Sequence, residues 1–117
     1  MVDPKILCRQ HLLGEHVEMH MFLGTLKGKK GVHGYVNNNL FQPIDLEKRH
    51  DELVVEMVRR GYNHKSPFFW EPHIQLAYLT ESERTSSVDS NDALAELLSR
   101  CKICTKRYSY LLSKGEI

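Results

Sequence analysis

The sequence predicts an all-α domain, and three observations carry that prediction. Apolar residues recur at helical spacing in three separate stretches, residues suited to capping or turning lie beside them, and no stretch reads as a convincing strand. At 117 residues the chain is long enough for one domain with a single core. The expectation is about three helices with long irregular connections, the whole of 1–117 forming one small domain.

The first helix is the stretch from Leu12 to Gly24, led in by Ile6 and Leu7. Asp3-Pro4 before it suits a helix start, an Asp cap followed by proline in the first turn. At 3.6 residues per turn, His11, Glu15, Glu18 and Phe22 fall in one narrow stripe. Leu13, Val17 and Met21, flanked by Leu12, Met19 and Leu23, cover most of the remaining surface. A polar stripe so enclosed suggests a pocket wall, and it predicts that Val17 and Met21 are buried. The helix should end between Gly24 and Gly28, giving way to the basic loop Lys27-Gly28-Lys29-Lys30-Gly31. That loop suits a solvated turn, or contact with a phosphate backbone.

Residues 32 to 44, with Asn37-Asn38-Asn39 and Pro43, read as irregular. Asp45 is placed to cap a second helix that runs to Gly61, a natural C-terminal stop. Leu46, His50, Leu53, Val54, Met57 and Val58 form its inward stripe, with His50 read as a hydrogen-bonded core histidine. Lys48 with Glu52 and Glu56 with Arg60 are expected as i to i+4 pairs on the solvent face. Residues 62 to 80 hold Pro67, Pro72 and the run Phe68-Phe69-Trp70, which excludes a long helix. The three aromatics suit loop anchoring, or stacking on bases. Thr80 to Asn91 reads as a polar loop, after which Asn91 or Asp92 caps a third helix. Its stripe is Leu94, Leu97, Leu98, Cys101, Tyr108 and Leu111, and its end mixes Lys106 and Arg107 with Tyr108 and Tyr110.

The formal net charge of +1 gives no strong electrostatic footprint. No apolar stretch reaches the length of a membrane span, and none reads as a secretory leader. Three cysteines, an odd number, fit a reducing cytosol better than a disulfide framework. His16 and His20 are four residues apart, but a zinc protease needs its glutamate directly after the first histidine. Glu18 lies about 200° round the helix from His16, so that reading fails. Cys101-Lys102-Ile103-Cys104 is an isolated CxxC, for which Cys8 or a histidine would have to complete a four-ligand zinc site. Buried thiols are the default there, and no metal is assigned. There is no Gly-rich phosphate loop and no Gly-x-Ser-x-Gly. What remains is Glu15 and Glu18, two carboxylates one turn apart, able to move protons near neutral pH if desolvated.

Two blocks resemble a known family. Cys8 to His20 (CRQHLLGEHVEMH) and Arg49 to Asn63 (RHDELVVEMVRRGYN) are similar to the pyrimidine-dimer DNA glycosylases of the phage endonuclease V type. The second block matches the pattern R-x-x-E-L-x-x-E-x-x-R-R-G-[FY]-N. The resemblance implies a small all-α fold acting on UV-damaged duplex DNA as a glycosylase and abasic-site lyase. It implies that a terminal α-amine attacks C1′ to form a Schiff base, that a helix glutamate assists proton transfers, and that β-elimination cuts the strand. No metal or cofactor is implied. The glutamate falls on Glu18, the family histidine on His11, and the acid between them on Glu15, with His16 beside them as a supporting residue. Family chains usually begin several residues further upstream, so the amine is expected on Met1, or on Val2 once Met1 is trimmed. An α-amine titrates near ~7.7 and is partly neutral at pH 7, unlike a lysine. Val17 and Met21 stand where the family often has arginines that meet phosphate. Arg9, Lys29, Lys30, Arg59, Arg60, Lys106 and Arg107 are the candidates to supply that contact. The expected setting is a monomer on damaged duplex DNA, with no membrane, in the cytoplasm of a bacterial or phage-infected cell. The alternative is a catalytically impaired relative that binds nucleic acid or a protein partner.

Overall fold

A computed structural model describes residues 1–32, 42–64 and 68–117. The expectations resting on Asn37-Asn38-Asn39 and Pro67 lie outside the described residues. The elements are a 3-10 turn at Pro4–Ile6, α1 at Arg9–Lys27, a second 3-10 turn at Pro43–Asp45, α2 at Leu46–Arg59, α3 at Pro72–Gln75, α4 at Glu81–Arg84, α5 at Ser90–Arg100 and α6 at Lys102–Ser113. No strand occurs among the described residues, so the domain is all-α as the sequence predicts.

Helix α1 packs chiefly on α2, and α5 on α6. The α1 residues that enter the core are Leu12, His16, Met19, Phe22, Leu23 and Leu26. Leu12, His16, Met19, Leu23 and Leu26 alternate steps of four and three, so they form one seam. This overturns the predicted face. Val17 is 65 % exposed and Met21 43 %. The seam contains a histidine where an apolar residue would be expected, which is why counting apolar residues alone turned the helix the wrong way. Val17→Asp should therefore shift the unfolding free energy by no more than about 0.5 kcal/mol. An unchanged urea midpoint checks this, and a loss of several kcal/mol would return Val17 to the core.

The second helix repeats the pattern. Its buried residues are Leu46, Arg49, His50, Leu53, Glu56 and Met57, while Val58 is exposed. The Glu56–Arg60 pair exists at 2.6 Å, but on the inward side, with Glu56 only 3 % exposed. Glu52 approaches Arg49 at 3.5 Å. Asp45 occupies the N-cap position without capping, since its carboxylate takes the Gln42 side-chain amide instead. At the far end Gly61 adopts φ +85°, and the amides of Gly61 and Tyr62 close onto the Val58 and Met57 carbonyls. A left-handed residue at this point favours glycine.

The single third helix expected from the sequence is two. Cys101 is extended at φ −125°, ψ 110°, and its Sγ accepts the Cys104 amide, so one helix stops and another starts there. Asp89, rather than Asn91 or Asp92, caps α5 by accepting the Asp92 amide at 2.9 Å. Within the predicted polar loop, Thr80 and Glu83 form a reciprocal capping box that starts α4. Asp3 does accept an amide, from Lys5, but it opens the 3-10 turn and not α1.

That 3-10 turn is held by arginines. The Arg60 Nη2 donates to the carbonyls of Leu7 at 2.7 Å and Pro4 at 3.2 Å. Arg107 donates twice to the carbonyl of Lys5, at 2.8 and 3.1 Å. Val2, Ile6 and Leu7 are buried in the core with Leu53, Met57 and Leu111. The chain before α1 is thereby fixed to both halves of the molecule.

Candidate active site

A cavity of about 580 Å³ opens where the first residues meet α1 and α5. Met1, Val2, His11, Glu15 and Glu18 all line it. Five of the six residues singled out as catalytic or supporting are thus brought together. The sixth, His16, is not among the lining residues. It is buried in the α1–α2 seam, against the rings of His20, His50 and His64.

The two carboxylates of α1 have different surroundings. Glu15 accepts a two-pronged ion pair from Arg49, at 2.5 and 3.0 Å, and Arg49 itself is 1 % exposed. Its charge is therefore committed. Glu18 forms no ion pair among the described residues. Desolvation at the cavity wall raises its pKa above the ordinary glutamate value, the Glu15 charge adds to this, and His11 partly offsets it. A carboxyl so placed is suited to accept and return a proton. The α-amine of Met1 donates to the Ser90 hydroxyl at the start of α5.

Sequence reasoning missed the opposite wall. Asp89, Asp92 and Glu96 of α5 face the same cavity. Asp89 falls in the expected polar loop and Asp92 and Glu96 on the expected third helix, and neither reading shows that they face residues some seventy positions earlier. Also missed was the surrounding of His11. Its Nδ1 lies 3.1 Å from the Cys8 Sγ and 3.5 Å from the Cys104 Sγ. The signal was available, because Cys8-x-x-His11 repeats the spacing of Cys101-x-x-Cys104.

The candidate basic residues divide. Arg9, Lys29, Lys30 and Lys106 are exposed, Arg9 with its guanidinium 5.4 Å from the Tyr62 ring centre. Arg59 is half-exposed and paired with Glu56. Arg60 and Arg107 are half-buried and donate to the backbone of residues 4–7, Arg60 also to Glu56. Of the aromatic run, Phe68 stacks on His50 with centroids 4.3 Å apart. Phe69 is exposed and has the Lys27 ammonium 5.5 Å from its ring centre. No helix among the described residues is long and apolar enough to cross a membrane.

Comparison with known proteins gives one match. A family profile described as pyrimidine dimer DNA glycosylase covers residues 1–69, which holds α1, α2 and the glutamates. No curated protein and no solved structure matches the chain.

Proposed function

The chain belongs to the pyrimidine dimer DNA glycosylase family, and from that premise we propose that it is a DNA glycosylase with abasic-site lyase activity on UV-damaged duplex DNA. The observation that carries the reading is the shared cavity of the terminal residues Met1 and Val2 with Glu18. In the proposed reaction the neutral α-amine attacks C1′ of an extruded nucleotide, the glycosidic bond breaks and the base departs. The resulting iminium is positive, and the Glu18 carboxylate stabilises it. The same carboxylate then removes a C2′ proton, the 3′ phosphate leaves by β-elimination, and water releases the amine. Arg9, Lys29, Lys30 and Lys106 are the residues proposed to meet the duplex backbone, with Arg59 at the margin, so affinity should fall steeply with salt.

A duplex with one abasic site, mixed with the protein and borohydride, tests this directly. The expected result is a covalent adduct mapped by mass to the terminal amine, on Met1 or on Val2 after trimming. No adduct from folded protein of verified N-terminus would overturn the reading.

One observation favours the alternative, a relative that retains the fold and binds without catalysing. Five carboxylates, Glu15, Glu18, Asp89, Asp92 and Glu96, line the cavity; Glu15 and Glu96 are paired with arginines, and the other three repel a phosphodiester. In that case Glu18→Gln leaves partner binding unchanged and no adduct forms with either protein.

A further inference from the structure

We infer that this chain is a metalloprotein, with a zinc ion held by Cys8, His11, Cys101 and Cys104. One donor atom from each of the four lies within 4.8 Å of the others. A tetrahedral zinc with bonds of about 2.3 Å to sulfur and 2.0 Å to nitrogen has S···S edges of about 3.8 Å and S···N edges of about 3.5 Å. The observed Cys8–Cys101 separation is 3.9 Å, and His11 Nδ1 lies 3.1 and 3.5 Å from the sulfurs of Cys8 and Cys104. The three cysteines are free, so no disulfide competes for the sulfurs.

The local fold builds this arrangement twice. Cys8 is the N-cap of α1 and His11 stands three residues on; Cys101 is the N-cap of α6 and Cys104 stands three residues on. Each pair therefore straddles the first turn of a helix, where amides are left without helical partners. The Cys8 amide donates to the Cys104 Sγ at 3.2 Å, and the Cys104 amide to the Cys101 Sγ at 3.4 Å. The ligands join the chain just after the first 3-10 turn to the start of α6, and so fix the segment that carries Met1 into its cavity. The inference shares His11 with the candidate active site but uses none of the chemistry assigned to Glu18 or the amine, so either reading can fail without the other.

A different observation points to a second cation site. Ring nitrogens of His16, His20, His50 and His64 also lie within 4.8 Å of one another. The Nε2 atoms of all four are buried with no hydrogen-bond partner. One orphaned buried nitrogen is a tolerable cost, whereas four facing a common point call for a shared partner. His50 Nδ1 contacts the Asp51 carboxylate at 3.0 Å, the outer-shell contact that orients an imidazole ligand. We propose that this cluster binds a late first-row divalent ion through four imidazoles.

Titrating the reduced, metal-stripped full chain with Co²⁺ tests both sites by absorbance. The thiolate site should give sulfur-to-cobalt charge transfer, and the imidazole site only tetrahedral ligand-field bands, with two equivalents bound in all. Cys101→Ser keeps a capping side chain on α6 and should abolish the charge transfer alone. His64→Ala, in a loop, should remove one equivalent and leave the charge transfer intact. Circular dichroism confirms that each variant is folded. Absence of charge transfer from the folded parent overturns the zinc site, and a single bound equivalent that is insensitive to His64→Ala overturns the imidazole site.

Discussion

Glu18→Gln should lower cleavage at an abasic site by about 10²–10⁴-fold and leave duplex affinity unchanged. The amide keeps the size and hydrogen-bonding reach of the carboxylate but cannot take the C2′ proton or balance an iminium. Glu15, one turn away, is a poor substitute because its oxygens are already engaged by Arg49. Single-turnover cleavage and fluorescence anisotropy on the same duplex separate the two effects. Cleavage within a few-fold of the parent would remove Glu18 from the chemistry, and a parallel loss of affinity would make it a binding residue.

Arg49→Met should cost about 3–5 kcal/mol of folding stability. The guanidinium is 1 % exposed and neutralises Glu15 across the α1–α2 interface. Removing it leaves a half-buried carboxylate without its partner. Adding Glu15→Gln to the same variant should restore much of the loss, because the uncompensated charge goes with it. Denaturant unfolding of the two single variants and the double gives the coupling. A single-variant loss below about 1 kcal/mol would mean that water solvates Glu15 well enough alone.

Much of this fold was legible because helical periodicity survives wherever leucines dominate. The second helix, its Gly61 stop and the absence of strands among the described residues all follow from it. The faces were less legible, for one physical reason: the core of this domain is partly polar. His16 on α1 and Arg49, His50 and Glu56 on α2 occupy seam positions; Arg49 is paired with the distant Glu15, and Glu56 with the nearby Arg59 and Arg60. A single sequence shows a polar residue, and for Glu56 even its partner, without showing which way the pair faces, so the inward face reads as outward. The break at Cys101 carries neither proline nor glycine, and its cause is a sulfur–amide contact. Of the candidate site, His11, Glu15 and Glu18 on α1 were legible from helical spacing, and the family resemblance added the roles expected of them. The acidic wall of α5 was not, because nothing local to Asp89, Asp92 and Glu96 records what they face.

The arginine clamp on the first turn has a consequence for the order of events during synthesis. Arg107 and the Lys5 carbonyl it grips are 102 residues apart. At ordinary translation speeds the Arg107 half of the clamp therefore forms roughly 5–20 s after Lys5 is made. Throughout that interval the first turn has at most the Arg60 half of its clamp. The segment beside the cavity is therefore fixed on both sides only after α6 has been made.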